Sequence, residues 1–296
     1  MQTHSQTISF RIDAWSILSD IELSIKNKIE AAGTPLKDWN VDIFRGVLTG
    51  YNDAFIISSE KREEILANCA DESEKQRTAA IIRPILRGRD IKRYGYVFAN
   101  QYLIATFPAK QYDIDDYPAL KDYLLSIGME RLEQTGEEHI VNGERVKARK
   151  KTNNKWFETQ DSISYWDEFS KPKIVWAELS RTGNSFAYSD DGAMVLNTCY
   201  ILSFNDNDIH DKELNALLGF LNSKVALFYL DIISSKLDET GWRWLKQFVE
   251  RIPVPMQFAI EIDGQLTNKD SASINTQLYK HLGFSSEETE YLESII

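Results

Sequence analysis

Two short stretches of this chain concentrate the side chains able to grip an anion or read a base edge. The first, IRPILRGRDIKRYGY (82–96), carries Arg83, Arg87, Arg89, Lys92 and Arg93 within eleven residues, opposed only by Asp90 and followed by Tyr94 and Tyr96. The second runs from Arg145 through Lys147, Arg149, Lys150 and Lys151 to Lys155, and ends in Trp156 and Phe157. A guanidinium fork matches phosphate oxygens and the O6/N7 edge of guanine. A neighbouring ring can stack on a base or brace the backbone. A third stretch, Arg181-Thr182-Gly183-Asn184, sets three hydrogen-bonding side chains in a turn between strands. The competing reading of each basic cluster is a solvated face or internal ion pairing. Asp90 in particular is placed to pair with one of the arginines inside the fold.

These cations belong to an acidic body. The 296 residues include 34 Lys and Arg against 45 Asp and Glu, a formal net charge of −11. Indiscriminate attraction to nucleic acid is not expected of such a surface. Local clusters still act at contact range, because charge is screened over only ~8 Å. A hydrophobic content of 43% allows one large domain or two smaller ones. No run approaches the ~20 apolar residues of a membrane span, so no membrane association is expected. The opening MQTHSQTISF lacks the layout of a secretory signal. Cys69 and Cys199 are expected to be reduced, inert thiols of a cytoplasmic protein.

Much catalytic chemistry has no sequence counterpart here. No two of the 14 glycines are spaced Gly-x-Gly, which argues against a glycine-rich dinucleotide or methyl-donor loop, and no Walker loop occurs. His4, His139, His210 and His281 are scattered without metal-ligand spacing. There is no Gly-x-Ser-x-Gly, no Glu-x-Lys and no Pro-Pro pair. Asp90-x-Lys92 alone does not make a metal-dependent nuclease site, which needs converging carboxylates. Asp115–Asp116 and Asp190–Asp191 read as solvated loop or cap residues. No catalytic residue and no metal site is expected.

The elements that would carry the clusters can be read coarsely. Leu18, Ile21, Ile25 and Ile29 give an amphipathic helix over 14–32, stopped by Gly33 and Pro35. Residues 41–58 read as two short strands around a turn, with Gly46 and Gly50 as backbone requirements there. A charged helix is expected over 60–79, strand over 94–107, helix over 117–136, and a loop or hairpin with Asn-Gly over 137–155. Strands are expected at 172–179 and 193–204. The strongest helix is 213–233, striped by Leu214, Leu217, Leu218, Leu221, Val225 and Phe228. A short helix over 242–249 and a last helix after the capping box Ser285-x-x-Glu288 complete the chain. This order predicts an α+β fold.

Several segments also resemble one family. IFRGVLTGYNDAFII (43–57), IRPILRGRDIKRY (82–94), NNKWFET (153–159), FSKPKIVWAELSRTGNSFAYSDDG (169–192) and LLGFLNSKVALFYL (217–230) occur in its order. Together with the ending QLYKHLGFSSEETEYLESII, they resemble the TaqI-like C-terminal specificity domain, the target-recognition part of adenine-specific DNA methyltransferases and fused type II restriction–modification enzymes. Over about residues 40–296 the resemblance implies a mixed, curved β-sheet target-recognition domain with flanking helices and a helical C-terminal tail. It implies a helical connector over 1–40, a recognition domain over 41–255 and a helical extension over 256–296.

What the resemblance implies for function is a division of labour. A separate methyltransferase domain, in cis or in trans, would use S-adenosylmethionine to modify a flipped adenine. This chain would need no cofactor, catalyse nothing alone, and read double-stranded DNA. Arg87, Arg89, Lys92 and Arg93 are then expected near the duplex. Arg145, Lys147, Arg149, Lys150, Lys151, Lys155 and Trp156 would form a groove-facing or phosphate-gripping element, and Arg181, Thr182 and Asn184 are candidate base readers. The alternative is an assembly subunit whose basic patches bind an acidic protein partner.

Overall fold

A computed structural model of the chain describes residues 7–8, 17–205, 211–234, 236–238, 241–255 and 271–295. Helix α1 (Asp20–Ala32) opens on a Ser19–Glu22 capping box, which satisfies amides that a helix start leaves bare, and buries Ile25 and Ile29. Residues 14–16 of the expected helix lie outside the described residues, and Ile17–Leu18 form a short strand. Strands β1 (Val41–Arg45) and β2 (Ile56–Ser58) follow, but they enter different sheets instead of pairing with each other. The charged stretch is two helices, α2 (Ser59–Ala67) and α3 (Glu72–Ile81), capped by the side chains of Ser58 and Asp71.

Strand β3 (Ile82–Leu86) leads into the basic segment, and β4 (Gln101–Ile104) follows it. After helix α4 (Pro118–Ile127) comes a hairpin of β5 (Glu138–Val141) and β6 (Glu144–Lys147). At its tip Asn142 and Gly143 have φ of 52° and 85°, the paired positive values that make Asn-Gly a favoured two-residue turn. The chain continues as β7 (Lys173–Ala177), β8 (Leu179–Ser180), β9 (Phe186–Ser189), β10 (Met194–Val195) and β11 (Cys199–Phe204). Strand β9 lies in the stretch the sequence presents as turn.

The helix expected over 213–233 is two helices, α5 (Asp211–Leu221) and α6 (Lys224–Ile233), meeting at 60°. Ser223 supplies the physical reason: its hydroxyl accepts the Ala226 amide and starts a new helix. Residues 241–243 form strand β12 (Gly241–Arg243) where helix was expected, leaving helix only at Lys246–Val249. The tail contributes α7 (Ser271–His281) and α8 (Ser286–Ser294), the latter opened by the Ser285–Glu288 box. Among the described residues no single helix is long and apolar enough to cross a membrane.

An antiparallel sheet ordered β9-β7-β11-β1 stands at the centre. Its two-residue period sends Ile174, Trp176, Tyr200 and Leu202 to one face and Val175, Ala187, Cys199 and Ile201 to the other. The first face packs on α5 and α6, joined by Ile25 and Ile29 of α1 and by Ile274, Leu278 and Leu292 of the tail. The second faces a sheet ordered β10-β3-β4-β2, mixed because β10 runs parallel to β3. The fold is thus α+β, with several small sheets and helices packed around them. Gly46 carries the chain from one sheet toward the other: a β-carbon there would sit 2.1 Å from the Leu196 carbonyl oxygen. Its glycine requirement is a close crossing and not the expected turn, whereas Gly50 does have a positive φ of 80°. Both cysteines are free, and burial pushes the Cys199 thiol up to about 12.

Candidate nucleic-acid interface

The arginine block folds into a tight turn. Gly88–Asp90 form one 3₁₀ turn between β3 and a small hairpin of Ile91–Lys92 and Gly95–Tyr96. Asp90 is buried and receives three hydrogen bonds of 2.9 Å, from the Arg87 amide and from its Nε and Nη2. Burial pushes the Asp90 carboxyl up, but the Arg87 bonds outweigh it and hold the carboxyl below its usual range. Arg87 is therefore the internal partner of Asp90, while Arg89, Lys92 and Arg93 stay exposed. Lys92 Nζ donates to the Arg89 carbonyl at 2.8 Å, which sets the two cations side by side.

The turn after β8 is braced from beneath. The Ser180 hydroxyl donates to the Gly183 carbonyl at 2.5 Å and accepts the Thr182 amide at 3.3 Å. Trp244 Nε1 reaches the same Gly183 carbonyl, and Trp176 Nε1 donates to the Trp244 carbonyl. Pairing of β8 with β12 holds the segment on its other side. Arg181 and Thr182 are consequently displayed, exposed, on a fixed frame.

These two pieces meet. Arg89, Lys92, Arg181 and Thr182, about ninety positions apart in the chain, line one cleft of about 150 Å³. Ser180, Ser185 and Leu179 are also in its walls, and among the described residues no carboxylate lines it. The serines carried no signal in the sequence, since a lone Ser beside a turn is commonplace. Leu179, 48% exposed, is an apolar contact at the same mouth.

Besides Arg87, two further expected base or phosphate contacts are internal. Asn184 is fully buried, its amide donating to the Leu221 and Ser223 carbonyls at 2.6 and 2.9 Å while its oxygen accepts from Arg93 at 3.1 Å. It ties the α5–α6 break to the cleft turn and steadies Arg93, leaving nothing to read a base. Arg149 is also buried, and all five of its N–H donors are used. They go to the carbonyls of Leu132 (twice), Thr49, Glu158 and Trp156 at 2.6–3.0 Å. Burial pushes its pKa down to about 10, opposed by the charge of Glu158, so it stays a cation at neutral pH.

The rest of the second cluster is exposed. Arg145 and Lys147 alternate on β6 around buried Val146, and Lys150, Lys151 and Lys155 are also at the surface. Lys155 lies 5.4 Å over the Phe157 ring. Trp156 is half-buried edge-on to Phe157, and its carbonyl accepts from Arg149. None of these residues lines the cleft. Among the described residues no group of three His, Cys, Asp or Glu could hold a metal.

The class defined by this fold is found in large restriction–modification enzymes. The type IIG restriction endonuclease BpuSI is similar in structure, with a TM-score of 0.52 at 14% identity over 93% of this chain and 33% of that one. The type IIL restriction–modification enzyme MmeI, solved in complex with DNA, gives 0.53 at 12% identity over 88% and 37%. The chain thus spans about a third of the length of each. No curated protein matches it in sequence. Residues 83–254, more than half of the chain, match the TaqI-like C-terminal specificity domain, and the chain belongs to that family.

Proposed function

We propose that the chain is the target-recognition module of a restriction–modification protein, reading a short double-stranded DNA sequence for an adenine-specific methyltransferase domain in cis or in trans. The cleft carries this reading: cations and hydroxyls from two distant segments converge on a member of the specificity-domain family. Arg89 and Lys92 grip phosphate, as do Arg145, Lys147, Lys150, Lys151 and Lys155. Arg181 and Thr182 read bases. Phosphate contacts set position and base contacts set sequence. Methyl transfer and its S-adenosylmethionine belong to the partner domain, and the chain neither methylates nor cleaves alone. The recognition unit spans 41–255, between a helical connector and a helical extension, in a cytoplasmic protein.

Selection from a pool of random duplexes at two salt concentrations tests this. A short motif should be enriched and survive the higher salt, with affinity falling by a log–log slope of about −0.9 for each phosphate gripped. Arg181→Ala should cost ~1–3 kcal/mol and relax one position of the motif. Lys150→Ala should weaken all duplexes alike and lower the slope by about one. No duplex retained at low salt, with an acidic protein captured through the same cations, would overturn the reading.

A further inference from the structure

A second pocket, of about 350 Å³, lies away from the cleft, where α3, β3 and the segment 105–117 meet. Buried Ile81, Phe107 and Met194 form its apolar base. Half-buried Tyr112, Tyr117 and Trp166 are its aromatic walls, the two tyrosines meeting edge to face with centroids 5.9 Å apart. Arg77, Arg83 and Lys110 also line it, and among the described residues no carboxylate does.

The way these three cations are held is informative. Arg77 donates to the Ser73 hydroxyl at 2.7 Å and to the Asp116 backbone carbonyl at 3.2 Å. Arg83 donates to the Gly192 carbonyl at 3.1 Å. Lys110 Nζ sits 3.1 Å from the centroid of the Trp166 ring. Each is fixed by a neutral group, and among the described residues none is in an ion pair. A chain with 45 acids could have neutralised them readily. Three cations held by neutral groups around an aromatic, apolar pocket suit a ligand that is planar at one end and doubly anionic at the other.

We propose that this pocket binds a nucleotide, its base against the aromatic walls and its phosphate on Arg77, Arg83 and Lys110. Base–aromatic stacking contributes ~1–3 kcal/mol per base, and charge-assisted guanidinium–phosphate bonds are about twice as strong as neutral ones. The volume falls in the ordinary range of ~300–1,000 Å³ for small-molecule sites. The nucleotide is either free in solution or an unstacked residue of a nucleic acid; the recognising chemistry is the same.

Calorimetric titration of the whole chain with AMP, CMP, GMP and TMP, beside adenosine and inorganic phosphate, tests the site. At least one monophosphate should bind saturably, with adenosine and phosphate each weaker by about tenfold or more. Combining Arg77→Gln with Lys110→Gln should weaken it by a further factor of about ten, while Lys37→Gln, exposed and outside the pocket, should not. A thermal melt of each variant reports its fold. Duplex binding then separates the sources. Competition by the monophosphate, with weaker duplex binding by the double variant, assigns the pocket to a nucleotide of DNA. Duplex affinity unchanged by both assigns it to a free nucleotide. No saturable binding by any of the four, or binding that a folded double variant leaves intact, overturns the proposal. That arm contains no duplex, so its failure is separate from failure of target recognition.

Discussion

Arg149 and Lys150 are neighbours in one basic run, yet they face opposite tests. Arg149→Gln strands up to four carbonyls, those of residues 49, 132, 156 and 158. It should destabilise the fold by about 3 kcal/mol or more in urea unfolding, a loss that Lys150→Ala should not share. Lys173 makes the complementary case. It is fully buried, donates to the Phe169 carbonyl at 2.8 Å, and burial lowers its pKa to about 8, opposed by Asp191 and Asp190. Below that pH the folded and unfolded chains both carry the proton, and the buried charge weighs fully against the fold. Between about 8 and the ordinary lysine value of ~10.4 the folded chain loses its proton first, the unfolded chain binds more, and stability rises. Lys173→Met should therefore be more stable than the parent at pH 7 by about 1 kcal/mol, with the gap closing toward pH 10 when both are unfolded in urea. The chemistry at these positions was only half legible. The types and spacing of Arg89 and Lys92 suggested contacts to DNA and those of Arg181 and Thr182 base reading, and the fold leaves all four exposed. Nothing local separates Arg149 from Lys150, or Asn184 from Thr182, because burial there is decided by segments far away in the chain.

At the scale of elements, the Leu-Asn-Ser break is the informative case. The stripe from Leu214 to Phe228 is continuous in sequence, because both helices bury their apolar faces in one core, so periodicity alone cannot show the 60° bend. Ser223 starts the second helix, and Asn222 docks the break onto β9. Its side-chain oxygen accepts the Phe186 amide at 3.0 Å, and its nitrogen donates to the Phe186 and Leu218 carbonyls at 2.9 and 3.0 Å. Asn222→Ala should cost about 3 kcal/mol by leaving these groups unpaired, read as a lower urea midpoint at unchanged slope. Gly46→Ala should cost a similar ~3 kcal/mol, since the carbonyl it meets is backbone and cannot swing aside. The 138–147 hairpin, by contrast, was legible from Asn142-Gly143, where the requirement is local. Strand β9 was hidden because Asn184, Ser185 and Asp190 flank a four-residue strand with turn formers.

At the scale of the whole molecule, the central sheet belongs to two cores at once, so neither core can melt while the other keeps its wall. The two ends of the chain are joined to the first core by Glu288, which accepts from Lys28 at 2.6 Å and Ser24 at 2.7 Å. Burial would raise its carboxyl, but these bonds and the Ser285 amide hold it down at about 2. A lowered carboxyl stabilises the fold above its unfolded value of ~4.3 and stops doing so as pH falls through 2. Glu288→Gln should lower stability at pH 7 by roughly 2 kcal/mol and converge with the parent near pH 2 in thermal melts. One further consequence follows from Asn222. Strand β9 lies at the end of the central sheet, and its outer groups at Phe186 are taken by Asn222 and by the Tyr94 amide. Without them the sheet would present an open edge, the template on which chains add to one another and aggregate. The asparagine that docks two helices thus also closes part of an edge on which copies of the chain could add.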